Sequence, residues 1–266
     1  MNWLTDNFRV AVLPLATQLA DKETNLEAVA AAFGHLPEEC DMVVLPELFS
    51  TGFSDDPDLM REMAERNTGP TIDFVKRLAH EHGVAVAGTF LASTPPHLYN
   101  RAFVIEPSGE ETFYDKRHLF SPGSEAAIMR AGTAPLPVVR FRGWNIAVAV
   151  CYDLRFPVWC RNRGMRYDML VVPANWPSSR GYAWRQLLIA RAIENQCCVV
   201  GADRGGKDFY GEYDGLSEIY DYRGMPVGEV AGQFIVAALS REKQDTCRSS
   251  FPVSADADDF CIAGVE

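Results

Sequence analysis

Three residue types that together can break an amide bond stand at the ends of apolar, strand-like runs. The run 42–47 (MVVLPE) closes on Glu47, 111–116 (ETFYDK) closes on Lys116, and 145–153 (NIAVAVCYD) delivers Cys151. A second carboxylate, Glu125, follows Lys116 across the turn Ser121-Pro122-Gly123. Taken singly, each has a plainer role. Glu47 could be a surface carboxylate at a strand end, Lys116 a solvated loop cation, and Cys151 a small buried apolar residue, the usual setting of a free thiol. Jointly, a carboxylate, an ammonium and a thiol make a complete acyl-transfer site. The carboxyl ends of strands in open α/β sheets are also where ligands bind.

Competing chemistries find no foothold. There is no G-x-S-x-G elbow, no phosphate loop and no G-x-G-x-x-G turn. The five histidines (35, 80, 82, 97 and 118) form no H-E-x-x-H group, and His80 and His82 diverge if they lie on one helix. No C-x-x-C occurs and Cys197-Cys198 are adjacent, which disfavours a cysteine zinc site. A papain-like Cys-His pairing cannot be argued from the residues. Arg155, four residues beyond Cys151, could clamp a substrate carboxylate bidentately; the alternative is an Arg that ties down Asp153 or the Glu47 loop. Phe120, Tyr152, Phe156 and Trp176 could wall a pocket, although aromatics are mostly core. Glu194 suits an ion pair with Arg191, and Cys160, Cys197 and Cys198 suit packing.

The elements that must position these groups are short and alternate in type. Strand-like runs cover 9–15, 42–45, 84–90, 101–105, 111–114, 138–141, 144–150, 169–172, 197–202, 216–222 and 234–239. Helical spacing marks 21–36, a stretch from Pro70 to His82 closed by Gly83, and 183–196. Residues 222–226 form a turn. No repeat or linker divides the chain, so a single domain spans 1–266 and ends in an acidic tail over about 241–266. Two packed sheets with helices outside are favoured; a doubly wound single sheet is not separable from this by pattern alone.

Composition bounds the class. With 266 residues, 47% hydrophobic and 23% charged, the chain suits a globular domain rather than a disordered one. The formal net charge of −11 argues against nucleic acid as a partner. The basic run 161–166 (RNRGMR) reads as a solvated helix end. The stretch 83–100, free of Asp, Glu, Lys and Arg, is broken by Pro95-Pro96, so no membrane span is expected. The opening residues MNWLTDNFR do not resemble a secretory signal. Seven cysteines without regular spacing suggest reduced thiols and a cytoplasmic location.

LPELFSTGF around Glu47, YDKRHLF around Lys116 and VCYDLRFPVW around Cys151 resemble, in the same order, the three signature blocks of the nitrilase superfamily of carbon–nitrogen hydrolases. VVPANWP at 171–177 and ARAIENQ at 190–196 are similar to that family as well. Together DKRHLF, CYDLRFPVW and NWP most resemble its bacterial omega-amidase branch. The resemblance implies a four-layer α-β-β-α sandwich with two mixed sheets, assembled as a homodimer or larger homo-oligomer. It implies Cys151 as nucleophile, Glu47 as general base, Lys116 beside the oxyanion and, through a looser match, Glu125 as a second carboxylate.

The implied activity is hydrolysis of the omega-amide of a small dicarboxylic monoamide, with Tyr152, Arg155, Phe120 and Trp176 as expected substrate contacts. The alternatives are another carbon–nitrogen hydrolase (an N-carbamoyl hydrolase, an aliphatic amidase or a nitrilase) or a non-catalytic thiol sensor. The chemistry itself calls for no metal or organic cofactor. A thiol of ordinary pKa, ~8.5, is only a few per cent ionised at neutral pH, so a carboxylate in reach must take its proton.

Overall fold

The computed structural model describes residues 7–263; residues 1–6, which open the segment read above as carrying no secretory signal, and 264–266, the end of the expected tail, lie outside the described residues. The first half of the chain forms β1 (Asn7–Val12), α1 (Lys22–Phe33), β2 (Met42–Val44), α2 (Pro57–Met63), α3 (Pro70–His82), β3 (Ala85–Thr94), β4 (His97–Ile105) and β5 (Glu111–Asp115). Next come α4 (Glu125–Ile128), β6 (Val138–Phe141), β7 (Trp144–Val148), β8 (Met169–Ala174), α5 (Gly181–Asn195) and β9 (Cys198–Asp203). A hairpin, β10 (Gly205–Asp208) and β11 (Gly211–Asp214), precedes β12 (Glu218–Tyr220), β13 (Glu229–Ala231), β14 (Phe234–Ser240) and α6 (Arg241–Ser250).

Seven strands form one sheet in the order β13-β14-β1-β2-β3-β4-β5, and five form a second in the order β12-β9-β8-β7-β6. The centre of each is parallel, β1-β2-β3 and β7-β8-β9, with antiparallel strands at the flanks. Side-chain alternation decides the layering. Val10, Val12, Met42, Val44, Ala85 and Ala87 face the second sheet and share a core with Trp144, Ile146 and Val148. The intervening Ala11, Val43 and Val86 face α1 and α3, packing on Val29, Phe33, Ile72 and Val75. On the far side Trp184, Leu188 and Ala192 of α5 cover the second sheet. The result is the α-β-β-α sandwich.

Several boundaries follow from local chemistry. Asp21 caps α1 by accepting from the Thr24 N–H, and Gly83 closes α3 in the left-handed region at φ 65°. Several elements differ from expectation. The strand expected over 216–222 is only β12, because its ends turn away at Ser217 and Asp221. The hairpin β10–β11, rich in glycine and charge, has no apolar alternation to announce it. Helix α2 is seven residues long and depends on Asp56 as its cap. The segment expected as an acidic tail begins as α6, which packs through a polar stripe. Arg241 and Arg248 both pair with buried Asp168 (2.6 and 2.7 Å), and the wholly buried Gln244 between them donates to the Asp168 carbonyl. The basic run 161–166 is no helix end but a loop with one 3-10 turn, Arg163–Met165, and its Arg161 and Arg163 donate to the carbonyls of Glu194 and Phe260. Among the described residues no helix is long and apolar enough to cross a membrane.

Candidate active site

The carboxyl ends of the parallel strands meet at one edge of the sandwich. Glu47 lies just beyond β2, Cys151 just beyond β7, Asn175 and Trp176 just beyond β8, and Asp203 ends β9. Strand β5 runs in the same direction as β3, since both are antiparallel to β4, so Lys116 leaves it at the same edge. Gly132 presses against this strand end, donating its N–H to the Lys116 carbonyl at 2.9 Å. A Cβ on residue 132 would fall 2.0 Å from the Asp115 carbonyl oxygen, so any side chain there would displace Lys116.

The charges form one buried knot. Lys116 Nζ donates to Glu47 Oε1 at 2.7 Å and to both oxygens of Glu125 at 3.0 and 2.9 Å. Glu47 Oε2 accepts from the Asn175 N–H at 2.8 Å, and Glu125 Oε2 from the Phe120 N–H at 2.6 Å. Asn100, on β4, donates from Nδ2 to Glu47 Oε1 at 2.7 Å and to Glu125 Oε1 at 3.0 Å. Relative exposure is 4% for Glu47, 2% for Lys116, 5% for Glu125 and 1% for Asn100, so water screens little of this. Burial alone would pull Lys116 down, but Glu125 and then Glu47 outweigh it and hold the ammonium well above the ordinary lysine value. An ammonium has three N–H bonds. Here they are shared among three oxygens of two carboxylates.

Cys151 opens a short 3-10 turn, Cys151–Arg155, in the left-handed region at φ 43°, rare for a residue with a side chain. The turn is braced from below by Asp153, which is fully buried. Its carboxylate accepts from the Val150 N–H (3.1 Å), the Tyr114 hydroxyl (2.9 Å) and the His118 N–H (2.9 Å), and its Oδ1 lies 2.7 Å from His118 Nδ1. The Cys151 turn is thereby tied to the loop after β5 that carries Lys116. Burial pushes the Cys151 thiol up, and the Glu47 charge adds to this. Lys116 and the Asn175 N–H oppose it without reversing it, so the thiol stays well above its ordinary value. At neutral pH it holds its proton and needs a base to attack.

Glu47, Lys116, Glu125, Cys151 and Asn175 line a cavity of about 460 Å³. Of the expected contacts, Tyr152, Arg155, Phe120 and Trp176 all reach it, while Phe156 stacks at 3.8 Å on His118 behind the wall. The Arg155 guanidinium lies 4.7 Å over the Trp176 ring and has no ion pair or hydrogen-bonding side chain among the described residues. Asp153 and Glu47 are held by the other partners named above, so Arg155 ties down neither loop. Glu194 pairs with Arg191 at 2.8 Å. Burial pushes the thiols of Cys160 and Cys198 up to about 12, and that of Cys197 well up. None of the three touches the cavity.

Four site residues escaped the sequence reading. Asn100 shows only as one polar residue inside an apolar strand. Arg180, its guanidinium 5.1 Å over the Phe120 ring, sits in a segment with no motif of its own. Asp203 Oδ1 accepts from the Trp176 N–H at 2.8 Å and fixes that wall; burial raises its carboxyl well above the usual range. Tyr210, at the tip of the β10–β11 hairpin, accepts from the Asp55 N–H at 2.7 Å and closes the rim.

Residues 9–246 match the family model described as carbon–nitrogen hydrolase. The chain is 38% identical over 235 residues to the omega-amidase YafV of Yersinia enterocolitica, covering 85% of this chain and 87% of the relative. It is 32% identical over 224 residues to a 2-oxoglutaramate amidase of Bacillus subtilis, covering 82% and 85%. A CN-hydrolase superfamily protein of Xanthomonas campestris, solved with an arsenic adduct in its active site, superposes with a TM-score of 0.91 at 36% identity, covering 97% of this chain and 99% of the other.

Proposed function

The chain belongs to the carbon–nitrogen hydrolase family, and on that footing we propose that it is an omega-amidase. Its substrates are small dicarboxylic monoamides of the 2-oxoglutaramate or 2-oxosuccinamate type, which it converts to the diacid and ammonia. The observation that carries this substrate class is the unpaired Arg155 guanidinium in the same cavity as Cys151. A carboxylate in a narrow pocket needs a cation, and a planar fork suits it better than an ammonium does. The names of the relatives from Yersinia and Bacillus support the same class.

Glu47 takes the Cys151 proton as sulfur attacks the amide carbon. The carbonyl oxygen becomes an oxyanion, facing the Lys116 ammonium and the Tyr152 N–H; each such donor is worth ~10²–10³ in rate. Glu47 passes the proton to nitrogen, the carbon–nitrogen bond breaks, and ammonia leaves a thioester behind. Water then gives a proton to Glu47 and its oxygen to the thioester carbon. Collapse of the second tetrahedral adduct releases the acid, and the thiol recovers its proton from Glu47. Glu125 keeps Lys116 in place throughout.

Ammonia release across a panel of omega-monoamides, neutral amides, N-carbamoyl compounds and nitriles tests the assignment; fastest turnover on a neutral amide would overturn the omega-amidase reading. Within that panel, Arg155→Met should weaken kcat/KM for an omega-monoamide by ~2–5 kcal/mol, the scale for truncating a buried charge contact. A neutral amide of equal size should lose far less. Equal losses on both would make Arg155 structural.

The same reading includes a homodimer. Tyr182 and Ile193 are exposed on one face of α5, eleven residues and about three turns apart, and Met225 follows the turn that packs on Ile193. Sedimentation velocity should find a dimer that Ile193→Asp weakens; a monomeric parent protein at micromolar concentration would remove this part.

A further inference from the structure

Asn100 belongs to no motif, yet its side chain touches both carboxylates of the charged knot. It is 1% exposed, and each of its two amide hydrogens has an acceptor: Glu47 Oε1 at 2.7 Å and Glu125 Oε1 at 3.0 Å. The amide has only one workable orientation, because its flip would set a carbonyl oxygen against two carboxylate oxygens. In that orientation Oδ1 is buried without a hydrogen-bond partner among the described residues, a cost tolerated to keep the NH₂ group where it is. The backbone is held just as firmly. The Asn100 carbonyl accepts from the Lys116 N–H at 2.9 Å, and the neighbouring Arg101 grips Asp115 through two bonds of 2.6 and 3.0 Å.

The bonds at Glu47 then divide its two oxygens by function. Oε1 receives Lys116 and Asn100, two donors that fill both lone pairs and accept no proton in return. Oε2 receives only the Asn175 N–H, at 2.8 Å, and keeps one lone pair open. We infer that Asn100 is a positioning residue: by filling Oε1 it confines the proton traffic of Glu47 to Oε2, and by bridging to Glu125 it keeps both carboxylates on one ammonium. This rests on the reading of Glu47 as the base for Cys151. The titratable groups that face Glu47 are Lys116, Glu125, Cys151 and, through space, Asp203.

Two substitutions separate this role from packing, because they respond to pH in opposite senses. Asn100→Leu keeps the volume and removes the donor. It should lower kcat roughly 10- to 100-fold, the scale for a slightly misplaced catalytic group, with KM within about twofold. Its deficit against the parent protein should widen as pH falls, since the Glu47 anion has lost a donor. Asn100→Asp sets a third carboxylate against the pair. Its deficit should narrow as pH falls, because the protonated acid regains an O–H to donate.

The same pH series is read a second way, through the rate at which methyl methanethiosulfonate labels Cys151, followed by peptide mass spectrometry. Labelling needs thiol deprotonation but no amide. If the parent protein hydrolyses no amide, the omega-amidase reading falls, while opposite labelling trends in the two variants still uphold the role of Asn100. Deficits that are independent of pH in both variants, or kcat within twofold of the parent, overturn it. Should Asn100→Leu fail to fold, the nearly isosteric Asn100→Asp decides the matter by whether its deficit narrows on acidification.

Discussion

Cys151→Ala should yield a folded protein with no measurable amide turnover, a loss of roughly 10⁶-fold in kcat, the scale seen when the nucleophile of a concerted catalytic unit is removed. The fold should survive for a simple reason. The substitution deletes one sulfur atom at the wall of an open cavity, and alanine meets the same left-handed backbone that cysteine does. The bracing by Asp153 runs through Tyr114, His118 and the Val150 N–H and does not involve the thiol. No other cysteine can stand in, because none lines the cavity. Circular dichroism and a thermal melt should match the parent protein. Intact-mass spectra with a slow substrate should show an acyl adduct in the parent and none in the variant. Appreciable turnover by Cys151→Ala would mean that the nucleophile is misassigned.

Glu47→Gln and Lys116→Met should each cost about 10²–10⁴ in kcat, but Lys116→Met should cost far more stability. Glu47→Gln leaves Lys116 paired with Glu125 but turns an amide N–H toward the Asn175 N–H, so its melting temperature should fall far less than that of Lys116→Met. Lys116→Met leaves two carboxylates facing each other in a dry site, and a broken buried pair typically costs ~3–5 kcal/mol. The sign of the pH dependence follows from the raised folded-state value of Lys116. Its stabilisation is fully present below the unfolded lysine value, ~10.4, and is lost only as pH rises through the folded one. The gap in stability between parent and Lys116→Met should therefore stand at neutral pH. It should shrink in acid, where protonation relieves the two carboxylates. A gap independent of pH, or a mild loss of kcat in either variant, would mean that these residues do not form one catalytic unit.

How much of this was legible in the sequence depended on whether a residue's partner was near in the chain or was announced by its type. Glu47, Lys116 and Cys151 were legible because a reactive residue at the end of an apolar run is conspicuous, and the resemblance supplied their order. Asn100 and Asp203 were not, since a single polar residue in a strand says nothing about what it faces across the sandwich. Arg155 could be nominated by its distance from Cys151. That it is free of Asp153 and Glu47 required seeing those carboxylates held by other donors. Helix α6 was read as a tail because pattern reasoning looks for an apolar stripe. The stripe there is Arg241, Gln244 and Arg248, and the partner that makes it a packing surface, Asp168, lies more than seventy residues away. The β10–β11 hairpin failed for a related reason, being held by Arg204 on Asp208 and by the rim contact of Tyr210.

Glu47, Lys116 and Asn100 come from the seven-stranded sheet, whereas Cys151 and the Asn175 N–H come from the five-stranded one. The charged knot and the thiol are thus mounted on two separate slabs, and the apolar filling between them is the spacer that sets their separation. A hydrogen bond tolerates only a few tenths of an ångström before it weakens. Val44 and Val148, which join that filling at the carboxyl ends of β2 and β7, therefore bear on that separation as much as on the stability of the fold. A library selected for melting temperature alone would retain sequences whose slabs have settled to a new spacing: sound proteins, with the two halves of their chemistry out of register.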